Sequence, residues 1–91
     1  MVWMIEEVSI EDVMGDYPFK LFRGKLCCKG LYVRFEGVVY QSVGGPNVRA
    51  SIDEQDAKTL LAKGLTLQEI AALELELQQK ILNGDVSIER G

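Results

Sequence analysis

The 91-residue chain has no histidine, only two prolines and two cysteines, and no apolar run near the roughly 18–20 residues that a bilayer span requires. Each absence removes a class of function. Without histidine, a Cys27 or Cys28 nucleophile lacks its usual base, and a serine or threonine nucleophile fares no better. A zinc site would have to be built from carboxylates beside two thiols, outside the usual ligand set, so neither a metal nor another cofactor is expected. The two cysteines are adjacent; neighbours on a strand point to opposite faces and are poorly placed to bond to each other. Met1 to Val8 lacks the basic flank and small-residue cleavage site of a secretory signal, so the expectation is a soluble cytoplasmic protein without a membrane segment.

What is present reads as an ordinary globular sequence, 47% apolar and 26% charged, of a length that fits one domain over residues 1–91. The net charge of −4 is unevenly spread. Residues 1–19 carry five acids and no base, and residues 50–91 carry eight acids against four bases. Residues 20–49 hold Lys20, Arg23, Lys25, Lys29, Arg34 and Arg49 against Glu36 alone, the one basic block of the chain.

The pattern along the chain predicts an α+β fold: an antiparallel β meander of about three to five strands in the N-terminal half, packed against two C-terminal helices. Val2 to Ile5, an apolar run ending in Glu6 and Glu7, suggests a strand over about 2–8, and Ser9 with Asp12 and Gly15 suggests a single helical turn over 10–14. Tyr17-Pro18 reads as a loop. From Phe19 to Val43 strand-favouring residues dominate, with glycines at 24, 30 and 37 as punctuation. Leu31, Val33 and Phe35 alternate with Tyr32, Arg34 and Glu36, the period of a half-buried strand. Glu36-Gly37 then suggests a tight turn into Val38–Val43, and Gly44-Gly45-Pro46-Asn47 a longer one into Val48–Ile52.

The helical half is marked more sharply. Asp53 or Ser51 can cap a first helix over about 54–63 that ends before Gly64. Thr66 and Glu69 have the spacing of a capping box, with Leu65 and Ile70 as its hydrophobic staple, and open a second helix over about 67–83 that stops at Gly84. Val86 and Ile88 alternate within 85–89, the pattern of a short final edge strand. Val8-Ser9-Ile10-Glu11 recurs as Val86-Ser87-Ile88-Glu89, too short a match to read as an internal repeat.

Three motifs bear on function. Leu60 to Ala71, a helix, a glycine and a capped second helix, resembles the first half of a LuxR-type helix-turn-helix. That family then needs a turn and a separate recognition helix, whereas Ala72 to Leu82 continues as helix formers and carries Glu74 and Glu76. An ordinary helical hairpin is therefore expected. Gly44-Gly45-Pro46-Asn47 lacks the lysine and following hydroxyl of a phosphate loop and reads as a turn. The basic block places Lys25, Lys29 and Arg34 near Tyr32 on strands, an arrangement with which β modules hold single strands; a solvated or interface face is the plainer expectation.

The second helix points to an interface. At about 100° per residue, Ile70, Leu73, Leu77 and Ile81 form one apolar stripe, and Leu67, Ala71, Leu75 and Leu82 form another, with Glu74 and Gln78 between them. That arc is wider than one packing surface needs. With one stripe on the sheet and the other on a second copy, Glu74 and Gln78 would fall at the seam, bonded to each other or across it. The expected function is that of a small non-enzymatic interaction or regulatory protein acting as a homodimer, with room for a further protein partner. A nucleic-acid-binding module using residues 20–49 is the alternative.

Overall fold

The computed structural model describes residues 4–16 and 19–88. Strands β1 (Ile5–Met14), β2 (Phe19–Cys28), β3 (Leu31–Ser42) and β4 (Gly45–Ile52) are followed by helices α1 (Glu54–Ala62) and α2 (Leu67–Leu82), and a two-residue strand β5 (Ser87–Ile88) closes the order. The sheet runs β4-β3-β2-β1-β5, antiparallel through the four long strands and parallel between β1 and β5. This is the expected α+β architecture.

One sheet face carries the core. Val8 and Ile10 of β1, Phe22 and Leu26 of β2, Val33 and Phe35 of β3, and Val48 and Ile52 of β4 are buried together with Leu60, Leu65, Ile70, Leu73 and Leu77 from the helical half. Burying Leu73 and Leu77 contributes about 1.5–3 kcal/mol each, enough to hold a helix whose other flank is open.

The N-terminal segment departs from expectation. Residues 10–14 are not a helical turn but the second half of β1, and the strand expected over 2–8 begins at Ile5; residues 2 and 3 lie outside the described residues, as do Tyr17 and Pro18. The register with β2 steps between Ile5 and Glu7 and again between Ile10 and Asp12, so Glu6 and Glu11 are the extra residues of two β-bulges. Each bulge turns a spacing of two into three. The residues that share the core-side parity are thus Ile5, Val8, Ile10 and Val13, and an i,i+3 spacing in sequence imitates a helical turn.

Two expected turns are also corrected. β3 passes straight through Glu36-Gly37, and Gly24 likewise lies inside β2; neither glycine punctuates anything. Only Lys29-Gly30, with both residues at positive φ (50° and 77°), makes a turn in this run, the two-residue type that suits hairpin twist. The next turn is Val43-Gly44, so β4 begins at Gly45, earlier than Val48; Pro46 is accommodated because β4 is an edge strand.

The helices follow the caps. Asp53 accepts hydrogen bonds from the backbone N–H groups of Gln55 and Asp56, and the Thr66/Glu69 capping box is complete. Leu65 and Ile70 are both buried. α2 is one uninterrupted helix ending at the Asn83 cap, so the Leu60–Ala71 segment is a capped helical hairpin without the recognition helix of the family it resembles. The recurring tetrapeptide has a structural counterpart: β5 lies against β1 with Ser87 beside Ser9 and Ile88 beside Ile10.

Candidate functional site

The capping box sets where α2 begins and therefore which residues face the sheet. Ile70, Leu73 and Leu77 are buried, while Leu67 is 73% exposed, Leu75 64% and Leu82 43%, with Ala71 exposed between them. The second apolar stripe is thus open surface in the monomer. Glu74 and Gln78 do lie between the stripes, but they do not bond to each other. Glu74 Oε2 accepts a hydrogen bond from the Ile52 N–H at 2.9 Å, and Gln78 Nε2 donates to the Ala50 carbonyl at 3.1 Å. Both partners belong to β4, whose outer side no strand covers among the described residues, so the pair seals an edge that would otherwise offer backbone groups to another chain. Their polar groups are satisfied within one molecule and call for no second copy. From the opposite flank of α2, Glu76 Oε2 accepts from the Ile5 N–H at 3.2 Å, so the helix grips both sides of the sheet.

Within the basic block, Lys25 and Arg34 already have partners. Arg34 donates from its backbone N–H to Asp56 Oδ2 at 2.8 Å, from Nε to the same oxygen at 3.2 Å, and from Nη2 to Asp53 Oδ2 at 3.4 Å. It ties β3 to the start of α1. These contacts keep the Arg34 guanidinium charged, its hydrogen bond to Asp56 contributing most; at Asp56, burial pushes the pKa up, but the bonds and charge of Arg34 outweigh it and hold the carboxyl low. Lys25 lies on the outer face of the sheet, its Nζ 5.4 Å from the Tyr32 ring centroid and 4.0 Å from Glu11. Lys29 is in the hairpin turn at the end of that strand. The four residues therefore do not converge: Lys25 and Tyr32 are neighbours, Lys29 is at the tip, and Arg34 is engaged elsewhere.

The outer face holds a feature that the sequence reading missed. Cross-strand rows place Met14, Leu21, Val38 and Arg49 side by side, with Asp12, Arg23, Glu36 and Ser51 in the adjacent row. With Phe22, Gly37 and Ala50 between the rows and Gln78 of α2 beside β4, they line a trough of about 750 Å³. Beyond it Phe19 pairs with Tyr40; Phe19 is 60% exposed and Leu21 52%. Arg23 and Glu36 are direct cross-strand partners, yet neither their side chains nor those of Asp12 and Arg49 make an ion pair or hydrogen bond among the described residues. Period-two alternation could have flagged Phe19, Leu21 and Val38, but only the register shows them adjacent.

The thiols are quiet. Cys28 is buried and Cys27 half-buried on the opposite face; burial first, and then the Glu6 carboxylate that accepts from Cys27 Sγ at 3.6 Å, push both thiols above their ordinary range, away from the reactive thiolate. Among the described residues no three histidine, cysteine or acidic side chains are grouped to hold a metal ion, and no helix is long and apolar enough to cross a membrane.

The fold and its surfaces define a small α+β protein with one sheet face covered by helices and the other open. No family model matches the chain, and neither a curated protein nor a solved structure matches it.

Proposed function

We propose that this is a non-enzymatic interaction protein that works through its surface and self-associates as a homodimer, with the outer stripe of α2 as one binding surface. The observation that carries this reading is the exposure of Leu67 and Leu75 on a helix whose bordering polar residues are already bonded to β4. Apolar side chains aligned along some four turns of one helix face form the kind of contiguous patch that marks an interface. Sedimentation equilibrium tests it. A dimer that is dissociated by Leu75→Glu and not by Gln79→Glu supports the stripe; a monomer at tens of micromolar, or a dimer indifferent to Leu75→Glu, removes it.

A second reading, nucleic-acid binding, draws on the stacked Lys25 and Tyr32. It is the weaker one, because Arg34 is engaged by two carboxylates. It requires retention of single-stranded DNA or RNA in filter binding at low ionic strength, falling steeply with salt and lost in Lys25→Ala.

A further inference from the structure

We infer that the open face of the sheet is a self-complementary docking surface for a second copy of this chain, separate from the α2 stripe. The inference shares with the proposed function only the premise that the chain self-associates.

The argument starts from the trough. Its walls come chiefly from the same two cross-strand rows on the four long strands, with Gln78 of α2 at the β4 end, and Leu21, Arg23, Glu36 and Val38 hold its middle. A two-fold axis parallel to the strands and running midway between β2 and β3 carries β2 of one copy over β3 of the other. Arg23 then lies over the partner's Glu36, and Glu36 over the partner's Arg23. In the next row Leu21 covers Val38 and the reverse, and beyond it Phe19 faces Tyr40. Stacked sheets lie about 10 Å apart, which leaves the residues nearest the axis opposed and within reach of an arginine and a glutamate.

Charge selects a second copy as the occupant. An ion-pairing side chain of each sign stands at the same height on either side of the axis, and neither makes an ion pair among the described residues although they are neighbours. The same operation brings Lys25 over Arg34, which would repel, but Lys25 is already beside Glu11 and Arg34 is held by Asp53 and Asp56. The apolar end supplies surface to desolvate: Phe19 and Leu21 are each more than half exposed among the described residues.

Charge reversal tests this directly in sedimentation and native mass spectrometry on the full chain. Arg23→Glu and Glu36→Arg should each weaken association across this face by about a hundredfold, because each homodimer then stacks like charges. An equimolar mixture of the two variants should reassociate as a strict heterodimer, since every Glu then meets an Arg. The doubly reversed chain, R23E with E36R, should behave like the wild type and shows that the fold tolerates the exchange. No loss in either single variant, or no restoration in the mixture, overturns the proposal. The α2 stripe is read out separately: loss in Leu75→Glu with no effect of Arg23→Glu leaves that surface and removes this one, and the converse leaves this one alone. If both hold, the wild type assembles beyond a dimer and each class of variant reduces it to dimers.

Discussion

Phe22 and Phe35 meet edge to face, ring centroids 6.1 Å apart and planes at 69°, because each stands opposite a glycine across the β2–β3 ladder: Phe22 opposite Gly37, Phe35 opposite Gly24. The four form a square with rings on one diagonal and bare backbone on the other. A Cβ on Gly37 would come within 2.6 Å of Phe22 Cζ and collide with the Arg49 carbonyl oxygen; one on Gly24 would come within 2.9 Å of Phe35 Cζ and collide with the Ser9 carbonyl oxygen. Replacing a strand glycine with alanine ordinarily stabilises, but here backbone as well as ring must move. Gly24→Ala and Gly37→Ala should each cost about 1–3 kcal/mol. Urea titration checks it, and an unchanged midpoint for either variant would show that the square relaxes freely.

The seal on β4 makes a local prediction. Glu74→Leu leaves the Ile52 N–H without its acceptor at a partly buried position, at a cost of about 1–3 kcal/mol. Amide exchange at Ile52 should accelerate relative to Val33 in the sheet interior. Equal protection at both positions in the variant would mean that the edge is closed by something other than this carboxylate.

The capping box should be felt in global stability. Thr66→Ala removes the hydroxyl that accepts from the Glu69 N–H at 3.1 Å, with an expected loss of about 0.5–2 kcal/mol. A Thr66→Ser chain, which keeps the acceptor, should recover most of it; equal loss in both would point to the methyl group instead.

Acid should weaken the join between β3 and α1. Asp56 has a folded pKa below its ordinary value, so its contribution to stability is present above the unfolded value of about 3.9 and is lost as pH falls through the lower, folded one. Thermal melts from pH 6 to 2 should show stability declining below about pH 4, with a shallower decline for Asp56→Asn. A parallel decline in both chains would assign the acid sensitivity to other carboxylates.

How much of this could be read from the sequence differs by element. The helix starts were legible because a cap is a local device: Asp53, Thr66 and Glu69 act on N–H groups two or three residues away. The bulges at Glu6 and Glu11 were not, because an extra residue in one strand exists only relative to its partner. Gly24 and Gly37 looked like turn signals for the same reason, since the rings that require them belong to the neighbouring strand. The wheel separated the exposed Leu67, Leu75 and Leu82 from the buried Ile70, Leu73 and Leu77, but it gave no destination for Glu74 and Gln78; a wheel places side chains around a helix but does not show that a strand edge runs beside them.

The pairing of β5 with β1 joins residues far apart in sequence, Ser9 to Ser87 and Ile10 to Ile88. During synthesis the four-strand meander, whose contacts are between sequence neighbours, can form as it emerges, but α2 and β5 emerge only after it. Until they do, the β4 edge waits for Glu74 and Gln78, and the β1 edge waits for Ser87 and Ile88. Nascent chains on one messenger are therefore exposed to edge-to-edge pairing for as long as translation of residues 53–88 takes, and slow codons or a stall in that stretch would raise the yield of aggregated product without altering the stability of the finished fold.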